Sequence, residues 1–495
     1  MSQAVVVIGG GIGGLTAGAL LARRGYSVTV LEQAAVPGGC ASTFRRGGFI
    51  FDVGATQVAG LEPGGIHHQI FSELEEPLPV AVPCDPACAV LLPGETEAIA
   101  VWRDPQRWQT ERQRQFPTSS RFWACLDTLF QASWRFQARQ PILPPRSLWD
   151  VGQLLQAVRP DTLVTLPFTF WTVTDLLRIL DLERDHRLRQ FLDLQLKLYS
   201  QCGADETALL YAATALSVSQ APRGLFHLQG SMQALSQHLV AALHRYGGKL
   251  RRRHRVTRIQ VTAGRVRGVW VETPRRGSFE IPADHVVANV PVQNLVSLLG
   301  EQAPAAYTQR VAKLPPASGA FVVYLGVDQR AIPVNCPPHL QFLYDPHGPI
   351  AEVNSLFVSV SQPGDGRAPA GRATITASSF TDPELWWGTA DYTQLKENYT
   401  RLALTRLAQY FDLQPSWVHV LEAATPRTFA RYTARQQGIV GGIGQRVATF
   451  GPFGVATRTP IPHLWLVGDS THPGEGTAGV SYSAWSAVRQ ITAGT

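Results

Sequence analysis

Ala4 to Glu32 reads AVVVIGGGIGGLTAGALLARRGYSVTVLE, and the order of its parts decides the fold. Ala4 to Ile8 is short, β-branched and wholly apolar, the pattern of a parallel strand buried on both faces. Gly9-Gly10-Gly11-Ile12-Gly13-Gly14 follows at once. Leu15 to Arg24 then carries alanine and leucine at helical spacing and stops at Gly25. Ser27 to Leu31 is a second strand, closed by Glu32. The stretch predicts a βαβ unit. Gly9 permits the tight turn, Gly11 lets the backbone approach a pyrophosphate, and Gly14 lets helix and strand pack closely. The helix N-terminus offers unpaired N–H groups and a partial positive charge to the phosphates. Glu32, 18 residues beyond Gly14, is placed to accept ribose hydroxyls and to repel a 2′-phosphate. A glycine motif alone is weak; the strand, helix and acid around it make it specific.

Outward from this unit, Pro37 to Ser42 (PGGCAS) holds a second glycine pair, Gly38-Gly39. A nicotinamide-binding Rossmann domain has no reason to place one here. Flavoproteins of the glutathione-reductase type do, as a second backbone turn against FAD. Gly48 to Ala55 reads as a short strand and a turn. Between 249 and 290, the runs Val256–Val261, Arg265–Val271 and His285–Ala288 predict a β-meander, with turns at 262–264 and 274–278. Near the end, His463 to Val467 is a strand leading into Gly468-Asp469. Ser470 to Val480 (STHPGEGTAGV) and a small-residue helix from Ser481 to Gln490 follow.

Both ends of the chain thus carry nucleotide-site grammar. Residues ~70–215, rich in Trp and Phe, read as mostly helical, and ~300–445 contains strands such as Gly319–Val327, Ser355–Ser361 and Ala373–Ser379. The expected fold class is α/β with an α+β substrate part. It is a glutathione-reductase-type FAD-binding Rossmann fold with an interleaved substrate-binding domain. The FAD-binding parts are 1–70, 216–300 (with the meander) and 446–495. The substrate parts are 71–215, also expected to associate with a membrane, and 301–445.

Composition narrows the function classes. Of 495 residues, 45% are apolar, enough for a large core, and only 16% are charged, against ~25% in typical soluble proteins. Every apolar run is far shorter than the ~20 residues of a bilayer span, and no basic-then-apolar leader opens the chain. Neither a transmembrane helix nor a recognisable export signal is expected. The net charge of +7 is almost all arginine, since Lys197, Lys249, Lys313 and Lys396 are the only lysines. Apart from Arg251–Arg253 and Arg255 the charges are scattered, which argues against nucleic acid. Of the six cysteines, only Cys84 and Cys88 are close, and no second pair completes a metal site. Reduced thiols and no metal are expected.

Four stretches together resemble the FAD-dependent carotenoid oxidoreductases, the phytoene-desaturase and carotenoid-isomerase family. They are Gly9–Gln33, the PGGCAST/FDVGAT pair, Thr425–Gly444 (TPRTFARYTARQQGIVGGIG) and GDSTHPGEGTAGVSYSA from Gly468. The resemblance covers essentially the whole chain. Gly54–His68, Cys84–Val90 and Phe191–Gln201 carry a narrower likeness to cyanobacterial carotenoid 3′,4′-desaturases of the myxoxanthophyll type. It implies FAD as cofactor, with Gly9, Gly11, Gly13, Gly14, Gly38 and Gly39 along it and Glu32 at the adenosine ribose. It also implies Val256 meeting the adenine through its backbone, Asp469 at the ribityl or pyrophosphate part, and Gly479 and Val480 near the ring. Many relatives carry Arg after the second glycine pair, where this chain has Cys40-Ala41-Ser42.

Desaturation removes a hydride and a proton from adjacent carbons. No side chain accepts a hydride, so a flavin must, and the protein positions the polyene against it. The proton-accepting candidates are His472 and Glu475, with Asp52 farther back. Each also has a structural reading, as a turn-shaping, solvated or amide-capping group. The same resemblance leaves cis–trans isomerisation, phytoene- or zeta-carotene-type desaturation and, without enzyme activity, a lipid-binding escort role as alternatives. The substrate expected is a carotenoid dissolved in membrane. Thr162–Leu180 (TLVTLPFTFWTVTDLLRIL), apolar but interrupted by Pro167, Asp175 and Arg178, suits an interface or the lining of a substrate cavity. A peripheral enzyme on the cytoplasmic side of a thylakoid or plasma membrane is expected.

Overall fold

The strand Ala4–Ile8 sits at the centre of a five-stranded parallel sheet in the computed structural model, which describes residues 3–494. The order is Lys249–Arg252, Ser27–Glu32, Ala4–Ile8, His285–Ala288, Leu464–Leu466. Alternate side chains serve opposite faces. Val5 and Val7 pack with the helices Ile12–Arg23, Gln233–Arg245 and Thr477–Thr492, while Val6 and Ile8 pack with Val256, Ile259, Val269 and Val271 of an antiparallel three-stranded sheet. That double burial is why the run is apolar at every position; each such side chain contributes roughly 1.5–3 kcal/mol.

The antiparallel sheet is Arg255–Thr262, Arg265–Thr273 and Gly277–Pro282. This corrects the meander expected from sequence: His285–Ala288 belongs to the parallel sheet, and its third strand is Gly277–Pro282. His285–Ala288 is buried at all four positions, as a central parallel strand must be, whereas Gly277–Pro282 is an exposed edge. The helix Thr477–Thr492 also begins earlier than Ser481.

A seven-stranded sheet holds the other half. Its order is Val418–Ala424, Gly319–Asp328, Arg372–Thr381, Ser355–Val360, His339–Leu343, Cys88–Leu91, Ile99–Val101. Segments more than two hundred residues apart are therefore joined by the parallel pairing of Leu340–Phe342 with Ala89–Leu91. Helices Ser120–Ala138, His186–Ser200 and Leu209–Ser217 bury an aromatic core of Trp108, Phe116, Trp123 and Phe191 beside it. Among the described residues no helix is long and apolar enough to cross a membrane.

A Cβ at Gly14 would collide with the Gly9 carbonyl oxygen, so the helix cannot seat on the turn with any side chain there. Gly14→Ala is expected to cost about 1–3 kcal/mol as overpacking and to lower the thermal midpoint. Gly152→Ala, in the helix Leu148–Ala157 with open space around it, is the control and should hold or raise the midpoint.

Candidate functional site

One cavity of about 2290 Å³ runs along the carboxyl ends of the parallel strands and on between the two halves. It is well beyond the ~300–1,000 Å³ of an ordinary small-molecule site. Gly9, Gly11, Gly13, Glu32, Gly38, Gly39, Val256, Asp469, His472, Glu475, Gly479 and Val480 all line it. Gly14 does not; it lies behind the turn against Gly9. Asp52 lies outside the wall as well. Its Oδ1 accepts from the Met232 amide at 2.8 Å and its Oδ2 from the Arg367 guanidinium at 3.0 Å.

Two helices aim uncapped N-termini at this cavity. Gly11 caps Ile12–Arg23 and Gly476 caps Thr477–Thr492, neither with a side-chain hydrogen bond. Their first N–H groups stay available, and both positive dipole ends face the same space. Glu32 is buried at the end of its strand and accepts from the Gly10 and Ala34 amides, each at 2.7 Å. Burial pushes its carboxyl up, and the backbone N–H groups of Ala34, Gly10 and Gln33 pull it back.

The residue that joins these parts is Asn289, which follows the strand His285–Ala288. Cβ atoms built on Gly9, Gly11, Gly13 and Gly468 would lie 2.8, 2.9, 2.8 and 3.0 Å from Asn289 atoms, so bare backbone encloses it. Its Nδ2 donates to the Gly9 carbonyl at 3.4 Å. A second residue beyond the sequence reading is Arg435, whose Nη2 donates to Asp469 Oδ2 at 2.7 Å and whose Nε donates to the Ile439 carbonyl at 2.6 Å. Arg435 lines the cavity beside Cys40 and brings a guanidinium near the turn whose own tail lacks arginine. The signal for Arg435 was present, inside the 425–444 stretch; for Asn289 there was none.

Beyond the turn the wall becomes apolar and aromatic, with Tyr199, Tyr211, Phe357, Phe380 and Phe450, then Leu155, Val158, Leu163 and Leu166. His472 is buried here; the Gln137 amide lies 3.3 Å from its Nε2, and its Nδ1 has no partner. Burial pushes its imidazole down to about 4. Glu475 Oε2 accepts from Gln201 Nε2 at 3.2 Å, and Oε1 is buried without a partner. Burial drives that carboxyl well above its usual range, only partly opposed by Gln201. Burial thus disfavours the charged form of each group.

A strand-end turn of glycines, two bare helix ends, a buried ribose-type acid and a long apolar chamber define a flavin-dependent oxidoreductase. The profile of the flavin containing amine oxidoreductases matches residues 12–492, and the chain belongs to that family. Its cofactor is FAD, and the donor set fits it. Prolycopene isomerase 2 (chloroplastic) of an Oncidium hybrid cultivar is 27% identical over 507 residues, 99% of this chain and 83% of its own. Hydroxyneurosporene desaturase of Cereibacter sphaeroides is 26% identical, over 99% and 97%. Cyclohexylamine oxidase from Brevibacterium oxydans shares the fold, with a TM-score of 0.63 over 99% of this chain and 100% of its own at 18% identity.

His67, His285 and His472 are all held near 4 when folded, against 6.5 when free, first by burial. The unfolded chain binds their protons first, so the stability is whole above pH 6.5 and is lost as pH falls toward 4. Thermal midpoints measured across this window should drop, and His472→Gln should flatten part of the slope.

Proposed function

We propose that this FAD-dependent oxidoreductase is a carotenoid desaturase that introduces a C-3′,4′ double bond into an acyclic or monocyclic carotenoid. The observation that carries the reading is the chamber: a long apolar and aromatic passage that starts at the glycine turn and reaches exposed leucines. The printed activity of the Cereibacter relative, a polyene desaturase matched end to end, supports it. Isomerisation is the second reading, favoured by the match to a prolycopene isomerase over 99% of this chain.

In this account Gly9, Gly11, Gly13, Gly38 and Gly39 lie along the pyrophosphate and Arg435 adds positive charge there. Gly14 seats the helix. Glu32 takes the ribose hydroxyls, the Val256 backbone faces the adenine, Asp469 faces the ribityl chain, and Gly479 and Val480 flank the ring. FAD, when bound, supplies the hydride acceptor that no side chain can be. The chain itself orients the polyene between Tyr211, Phe357 and Phe380 and excludes water. His472 and Glu475 are the catalytic candidates. Glu475 Oε1 is buried without a partner, and burial disfavours the charged forms of both the Glu475 carboxyl and the His472 imidazole. A neutral acid predicts that Glu475→Gln keeps kcat within about threefold, whereas a general base would cost ~10²–10⁴. Steady-state rates over pH check this.

The enzyme is placed at the cytoplasmic face of a membrane, in keeping with a cyanobacterial thylakoid or plasma membrane. Leu148, Val151 and Leu155 expose one apolar face of their helix, and Leu163, Leu166 and Phe170 extend it beside the cavity. Within Thr162–Leu180, Thr162, Leu163 and Leu166 line the cavity and Val173, Leu176 and Leu177 are core. Flotation with liposomes should carry the protein upward, and Leu155→Ser with Leu166→Ser and Phe170→Ser should leave it in the soluble fraction.

The reaction is tested by expression in a bacterium accumulating neurosporene, lycopene or a 1′-hydroxylated carotene. Desaturation yields a pigment two hydrogens lighter and absorbing at longer wavelength; isomerisation leaves the mass unchanged. A pigment unchanged in both would overturn the reading.

A further inference from the structure

Behind the cavity wall lies a polar chain that the site described above does not use. Thr56 lines the cavity. Ser359 Oγ donates to Thr56 Oγ1 at 2.6 Å, and His339 Nδ1 lies 3.0 Å from Ser359 Oγ. Ser359 and His339 are directly opposed in antiparallel pairing, which holds the two side chains together. The His339 and His227 rings are neighbours, tilted to each other with centroids 5.8 Å apart. His339 Nε2 and His227 Nδ1 are both buried and without a partner. On its other side His227 Nε2 lies 2.9 Å from Asp365 Oδ2 and 2.8 Å from Arg367 Nη1, and Arg367 also holds Asp52 at 3.0 Å.

Thr56, Ser359, His339, His227, Asp365, Arg367 and Asp52 are each more than nine-tenths buried. Two features make this more than a structural brace. The first is the pair of buried, unpartnered ring nitrogens on two neighbouring imidazoles whose centroids are 5.8 Å apart, polar groups of the kind that buried water satisfies. The second is charge: with both carboxylates ionised, Asp52 and Asp365 outnumber the single Arg367. His227 Nε2 lies within hydrogen-bond distance of both a guanidinium nitrogen and a carboxylate oxygen.

We propose that a water between His227 Nδ1 and His339 Nε2 completes a proton path from Thr56 to the Asp52–Arg367–Asp365 cluster, and that the polyene's proton leaves along it. The proposal rests on the desaturase reading. In that reaction one C–H bond breaks with its electron pair passing to FAD as hydride. The adjacent C–H pair becomes the second bond of the alkene, and its proton needs an acceptor. His472, buried with its Nδ1 unpartnered, binds a proton weakly, and the charged form of Glu475 is disfavoured by burial. Hydroxyls rotate and imidazoles exchange tautomers, so the chain can run inward. Thr56 takes the proton and passes its own to Ser359, Ser359 to His339 Nδ1, His339 Nε2 through the water to His227 Nδ1, and His227 Nε2 to Asp365. Asp365 lies between exposed Gly364 and Gly366, one residue from solvent.

Thr56→Val and Ser359→Ala each cut one link and leave the charged cluster intact. In the FAD-loaded protein, anaerobic mixing with the accepted polyene should reduce flavin roughly 10–100-fold more slowly in both variants. Polyene affinity, read by quenching of tryptophan fluorescence, should stay within about twofold, and Ser359→Thr should recover most of the rate. A readout without turnover is the imidazole 15N spectrum of the flavin-free protein. His339 and His227 shifts should move together in Thr56→Val, with His285 unmoved as control. Rates unchanged in both variants, or His227 shifts indifferent to Thr56, would overturn the path. If the wild-type flavin is reduced by no polyene, the desaturase reading fails instead, and the 15N result still reports the chain.

Discussion

The structure depends on the close approach of bare backbone to one amide side chain. Asn289 occupies a socket walled by glycines from residues 9–13 and by Gly468. Three segments from the beginning, middle and end of the sequence are thereby fixed against one another. An added methyl at Gly11, Gly13 or Gly468 would need space that the Asn289 side chain already fills, and one at Gly9 would meet the Asn289 carbonyl oxygen; packed interiors do not yield that space cheaply. This contact, rather than any single cofactor ligand, sets the two uncapped helix ends on the same cavity.

The second determinant is dryness. Away from the glycine turn the cavity is apolar, and the polar groups that reach it are held in neutral form by burial. His472 loses its proton readily and Glu475 keeps its own. Two buried ion-pair sites flank the cavity: Arg435 with Asp469 near the turn, and Arg367 with Asp52 and Asp365 behind the wall. The exposed leucines beside the chamber continue the same polarity outward.

Much of the nucleotide half was legible because its signals are local. The Ala4–Glu32 unit, the second glycine pair and the C-terminal Gly468–Val480 segment each state their geometry within a few residues, and all of their lining residues but Gly14 face one cavity. What escaped was long-range. His285–Ala288 was grouped with the meander because a four-residue apolar run carries no record of which sheet it joins, and Gly277–Pro282 looks like a turn until Arg265–Thr273 pairs with it. Asn289 has no motif; its role exists only once four glycines surround it. Thr56, Ser359, His339 and His227 come from four separate stretches, so their chain is visible only in three dimensions. The apolar face of Leu148–Ala157 was hidden for another reason: its leucines and valine follow a spacing that normally marks a buried helix.

The central claim is that both ends of the chain close around a single FAD. Its most direct measurement is the identity and amount of flavin released from the purified, folded protein, set beside the Asn289→Leu variant. The account predicts one FAD per chain in the native protein and little or none in the variant, whose socket cannot take the branched side chain. A folded native protein that neither retained nor took up FAD, or a variant that bound it undiminished, would contradict the account.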